Sequence, residues 1–97
     1  MTQINKHINF WKSKKVFITG HTGFKGSWLC IMLNLFGSKL YGYSLKPLKN
    51  SLFNQGKITE IMERSYYENI NDNKKLNKII KKIKPDIVFH LAAQPLV

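Results

Sequence analysis

The residues of this chain best suited to chemistry form one short string, Gly20-His21-Thr22-Gly23-Phe24-Lys25-Gly26, with the spacing G-x-x-G-x-x-G. Glycines spaced in this way let backbone close on a phosphate. Gly20 suits a tight turn, Gly23 the close approach of a pyrophosphate, and Gly26 the packing of a following helix against a sheet. The spacing is one residue wider at its start than the G-x-G-x-x-G of dinucleotide-binding units. A helix beginning here would turn free N–H groups and a positive dipole end toward the anion. Within the loop, Lys25 either adds a point charge to a phosphate or faces solvent. His21 either hydrogen-bonds a phosphate or ribose or is a plain turn residue. A glycine-rich turn with no ligand is the alternative for the whole string.

Other reactive groups are few. Three histidines and one cysteine lie scattered, without the spacing of metal ligands, so no metal site is expected. Cys30 sits in an apolar run and reads as a buried, unreactive thiol. A lone cysteine forms no internal disulfide and suits a reducing cytosol. His90 reads as a structural residue.

The elements that must position the loop follow from pattern. Lys15 to Thr19 is an apolar, β-branched run closed by Gly20, the mark of a fully buried strand. Phe24 to Phe36 reads as a strongly apolar helix, with Trp28, Leu29, Met32, Leu35 and Phe36 as its buried stripe and Gly37 just past its end. Lys39 to Ser44 is a second strand, 46–56 a loop, Lys57 to Arg64 a short helix and Ser65 to Ile70 a third strand. Leu76, Ile79, Ile80 and Ile83 fall at i, i+3, i+4 and i+7, with Lys74, Lys75, Lys78, Lys81, Lys82 and Lys84 on the other faces. Asp72 caps that helix and Pro85 stops it. Asp86 to Ala92 is a fourth strand, apolar on both faces. The alternation predicts an α/β fold, the first half of a Rossmann-type parallel sheet in the order 3-2-1-4, with helices on both faces. Cut there, the fourth strand has an open apolar edge, a template for aggregation.

Composition bounds the remaining classes. Ninety-seven residues build one small domain, and 43% hydrophobic content fits a folded chain. Trp28 to Phe36 is the longest apolar stretch, far short of the ~20 residues of a membrane span, and Met1 to Lys15 lacks the pattern of a signal peptide. The net charge of +11 invites a nucleic-acid reading, yet fifteen of the sixteen basic residues are Lys. Arg supplies the bidentate contacts by which base sequence is read. With eleven Ile and nine Asn, the excess resembles AT-rich codon usage. The lysines of 74–84 then form a solvated helix face.

At this point the residues resemble a known family. Phe10-Trp11-Lys12 and the run from Lys15 through Gly20-His21-Thr22-Gly23-Phe24-Lys25-Gly26-Ser27-Trp28-Leu29 are similar to the opening of the CDP-glucose 4,6-dehydratases, in the extended short-chain dehydrogenase/reductase superfamily. Gly42-Tyr43-Ser44-Leu45 with Pro47, Ser51-Leu52-Phe53, and Val88 through His90-Leu91-Ala92-Ala93-Gln94-Pro95-Leu96-Val97 resemble its next segments. The glycine motif and His-Leu-Ala-Ala mark the superfamily; His-Thr-Gly-Phe-Lys-Gly-Ser-Trp-Leu and Ala-Ala-Gln-Pro-Leu-Val point to the dehydratases. The resemblance implies a bound NAD held by residues 20–26, Ser44, Asn69, Ile70, Leu91, Ala92, Ala93 and Gln94. It also implies a CDP-glucose substrate oxidised at C4, dehydrated across C5–C6 and reduced at C6, and a homo-oligomer in the complete enzyme. That chemistry uses a Tyr-x-x-x-Lys pair. Tyr41, Tyr43, Tyr66 and Tyr67 are followed four residues on by Leu45, Pro47, Ile70 and Asn71, so these residues supply no catalytic pair.

Two positions depart from the pattern. Ser44 stands where NAD-binding units often carry an acidic residue for the ribose hydroxyls, and Asn69-Ile70 stands for an Asp-Ile pair at adenine. The expectation is therefore the N-terminal part of a nucleotide-sugar dehydratase, inactive alone, with the C-terminal half and substrate-binding region absent. A stand-alone dinucleotide-binding module, and a part of another sugar-nucleotide epimerase or dehydratase, are the alternatives.

Overall fold

The computed structural model describes residues 9–92. Four parallel strands, β1 (Lys15–Thr19), β2 (Lys39–Ser44), β3 (Arg64–Tyr67) and β4 (Ile87–His90), form one sheet in the order β3-β2-β1-β4. The α/β architecture and strand order expected from the sequence are those observed. β1 pairs on both sides, Ile18 with Gly42 and with Phe89, and its residues from Val16 to Thr19 are buried. A strand covered on both faces needs this continuous apolar run.

Helices α1 (Phe24–Leu35) and α3 (Asn73–Ile83) cover opposite faces. α1 packs with Val16, Ile18 and Leu40, while α3 sets Ile79 and Ile83 against Phe17 and Tyr43. α3 is the helix its periodicity predicts. Asp72 accepts a hydrogen bond from the Lys75 N–H at 3.2 Å, and Lys84 closes the end in a left-handed conformation.

α1 also lies where expected, and Gly37 (φ +83°) ends it, with the Ser38 N–H donating to the Leu33 carbonyl and the Gly37 N–H to that of Asn34. Its buried face is not the expected one. Gly26, Ser27, Cys30 and Leu33 meet the sheet, whereas Trp28, Met32 and Leu35 are 52%, 48% and 76% exposed. Leu29 and Phe36 are partly buried. A helix apolar on every side carries little periodicity, and close approach to the sheet selected the small side chains.

The 46–56 loop contains one helical turn, α2 (Leu52–Gln55), capped by Ser51. The helix expected over 57–64 is only a 3-10 turn, Ile58–Ile61, because Lys57 is left-handed (φ +50°). β3 stops at Tyr67 rather than Ile70, since its partner β2 ends at Ser44, which pairs with Tyr67. β4 spans only Ile87–His90, and Val88 is 48% exposed, so the fourth strand is not covered on both faces among the described residues.

Candidate functional site

The glycine loop joins the C-terminal end of β1 to α1 at the point where the strand order reverses, between β1 and β4. Crevices at such switch points are where open α/β sheets bind ligands. Each glycine has its own reason. Gly20 has φ +81°, and a Cβ there would stand 2.8 Å from the Ala92 nitrogen, so the loop and the segment after β4 touch backbone to backbone. At Gly26 a Cβ would overlap the Gly20 carbonyl oxygen and come within 2.7 Å of the His21 Cα. That glycine lets α1 approach the sheet. Gly23 is different: its backbone (φ −77°, ψ 172°) suits any residue, and a Cβ would meet only the Gly20 oxygen, at 3.5 Å. The fold leaves Gly23 free.

Gly23 instead opens onto a cavity. A space of about 280 Å³ is lined by Gly20, Thr22 and Gly23 from the loop, Ser44 and Leu45 from the end of β2, Ile70, and Leu91 and Ala92 after β4. Phe24, Lys25 and Gly26 line an adjoining space with His90. Among the described residues no side chain caps the α1 N-terminus, and its first turn holds no acid. That combination of uncapped N–H groups and positive dipole suits an anion.

The structure thus gathers most of the residues singled out from sequence. Leu45 joins them as the unforeseen neighbour of Ser44. Thr22 binds the end of β2, its hydroxyl donating to the Leu45 carbonyl at 3.0 Å and lying 2.8 Å from the Ser44 hydroxyl. Thr19 Oγ1 holds the other side, 2.7 Å from His90 Nδ1 and accepting from the Ala92 N–H at 3.3 Å. Ala93 and Gln94 lie outside the described residues.

Two side chains depart from their expected roles. The His21 ring turns inward and is fully buried, edge-on to Phe53 and stacked with Tyr67, with Nε2 3.1 Å from Ser65 Oγ. It cannot reach a phosphate, and no part of His21 is exposed on the loop's surface or lines the cavity. Burial lowers its pKa to about 4, which keeps it neutral. Asn69 does not line the cavity. Its side-chain oxygen accepts from the Asn71 N–H at 2.9 Å and its carbonyl from the Tyr43 hydroxyl at 3.1 Å. Burial, then the carboxylates of Asp72 and Glu68, raise the Tyr43 pKa, opposite to what a tyrosine base needs. Among the described residues no group of His, Cys, Asp and Glu could hold a metal, and no helix is long and apolar enough to cross a membrane.

Fold and loop together define a Rossmann-type unit. The GDP-mannose 4,6 dehydratase family model matches residues 17–97, and the chain belongs to that family. It is 51% identical over 90 residues to a CDP-glucose 4,6-dehydratase of Salmonella typhimurium, covering 92% of this chain and 25% of the relative. A GDP-mannose 4,6-dehydratase of Vibrio cholerae is 31% identical, with 84% and 23% covered. A UDP-glucose-4-epimerase of Stenotrophomonas maltophila, solved with bound NAD and formylated UDP-arabinopyranose, superposes with a TM-score of 0.66 at 25% identity, over 87% of this chain and 26% of that one. The chain spans about a quarter of the length of the curated relatives it matches.

Proposed function

We propose that this chain is the NAD-binding part of a nucleotide-sugar 4,6-dehydratase acting on CDP-glucose. The observation that carries the cofactor reading is Gly23, the one loop glycine that the fold itself does not require, whose open side is the cavity. A side chain there would take up space beside the α1 N-terminus, where a pyrophosphate gains most from N–H groups and dipole. In this reading the loop from Gly20 to Gly26 holds the pyrophosphate, Ser44 accepts a ribose hydroxyl, Ile70 flanks adenine, and Leu91 and Ala92 bound the far side of the dinucleotide. The family resemblance assigns Ala93 and Gln94, outside the described residues, to the same cofactor. When bound, NAD supplies the reversible hydride acceptor that oxidation at C4 and reduction at C6 of the sugar require.

The choice of CDP-glucose rests on 51% identity to a CDP-glucose dehydratase, against 31% to a GDP-mannose enzyme. The 97 residues hold no Tyr-x-x-x-Lys pair, so we assign the proton transfers and sugar binding to polypeptide other than these residues. A cytoplasmic homo-oligomer completes the reading. The test is formation of 4-keto-6-deoxy product from CDP-glucose, GDP-mannose and dTDP-glucose, by this chain alone and by the polypeptide at its natural length. The expected result is no turnover by the chain alone and preference for CDP-glucose by the longer form. Turnover by the isolated chain would refute the assignment of catalysis, and preference for another nucleotide the assignment of substrate.

A further inference from the structure

We infer that Thr22 sets the preference of this site between NAD and NADP, by fixing which way the Ser44 hydroxyl points; this rests on the dinucleotide reading above. Each hydroxyl has one proton to give. The Leu45 carbonyl can only accept, so the Thr22 proton is committed to it at 3.0 Å. Toward Ser44, 2.8 Å away, Thr22 must therefore accept, which commits the Ser44 proton to Thr22. What remains on the Ser44 oxygen is lone pairs. Thr22 is almost fully buried, and both it and Ser44 border the cavity.

An oxygen that can accept but not donate distinguishes the two cofactors. The 2′-hydroxyl of NAD's adenosine ribose brings a proton and is satisfied. The 2′-phosphate of NADP brings only oxygens, and lone pairs oppose lone pairs. Ser44 thus behaves as an uncharged counterpart of the carboxylate commonly found at the end of the second strand. The opposing influence is Lys46, exposed on the neighbouring cavity, which attracts phosphate. Thr22 is a positioning residue: it acts through Ser44, and it sits on the same loop that holds the pyrophosphate.

The test is calorimetric titration of NAD and NADP into the natural-length polypeptide carrying wild-type sequence, Thr22→Val, Thr22→Ser or Ser44→Ala. Thr22→Val keeps the shape, removes the acceptor and frees the Ser44 proton. It should lower the NAD-over-NADP affinity ratio roughly three- to tenfold, the worth of one hydrogen bond, chiefly through tighter NADP binding. Thr22→Ser should restore the wild-type ratio. Ser44→Ala should weaken NAD by a similar factor and tighten NADP slightly, because the opposing lone pairs go with the hydroxyl. A folded Thr22→Val protein with an unaltered ratio overturns the inference. Should that variant not fold, Ser44→Ala decides, and unweakened NAD binding overturns it. Wild-type protein that binds neither dinucleotide would instead remove the dinucleotide reading itself.

Discussion

The imidazole of His21 occupies the place that a side chain at residue 42 would fill: a Cβ built on Gly42, in the middle of β2, would overlap the ring. Glycine is an unfavourable strand residue, and here its missing side chain is the slot that anchors the glycine loop to the sheet. Gly42→Ala should therefore expel the ring and destabilise the fold by about 1–3 kcal/mol, the range for overpacking. The double variant His21→Ala, Gly42→Ala should be more stable than the sum of the two single effects. Urea unfolding of the four proteins measures the coupling, and strict additivity would show that the two residues do not share the space.

The same ring makes stability depend on pH. Among the described residues Nδ1 of His21 has no partner and Nε2 meets only Ser65, so a second proton would be buried without an acceptor. The folded state holds the pKa at about 4, against 6.5 when exposed. Because the folded value is the lower one, His21's contribution is fully present above pH 6.5. It is lost as the pH falls toward 4, at about 1.4 kcal/mol per pH unit and about 3 kcal/mol in all. Comparing urea midpoints of wild type and His21→Gln across that window isolates the effect from the carboxylates. Parallel curves would contradict it.

Cys30 should be chemically silent. It is fully buried where α1 meets the sheet, and burial raises its pKa to about 12. Since the thiolate is the nucleophile, a maleimide or disulfide reagent at pH 8 should label native protein far more slowly than protein in 6 M urea. Equal rates would mean that the α1 interface opens freely.

The sheet order, the loop and α3 were legible from residues alone, because a buried parallel strand, a glycine loop and a clean amphipathic helix each leave an unambiguous pattern. The face of α1 was not, since Trp28, Met32 and Leu35 carry the same apolar signal as Cys30 and Leu33, and only contact with β1 decides among them. The buried place of His21 is not legible for a related reason. Its neighbours in sequence are loop glycines, but its neighbours in space, Gly42, Phe53, Ser65 and Tyr67, come from three later segments that sequence spacing does not bring together. The family resemblance implies Asn69 at adenine, but a local turn to Asn71 takes up its side-chain oxygen.

On the proposed reading Gly23 is glycine for a ligand, whereas Gly26 is glycine for the fold. Titration of NAD by calorimetry into natural-length protein, with circular dichroism and thermal unfolding on the same samples, tests it most directly. Gly23→Val should keep the native spectrum and a melting midpoint near wild type while heat of NAD binding disappears. Gly26→Ala should lose stability first, because its Cβ has nowhere to go between Gly20 and His21. Undiminished NAD binding by a folded Gly23→Val protein would take the glycine loop out of the site.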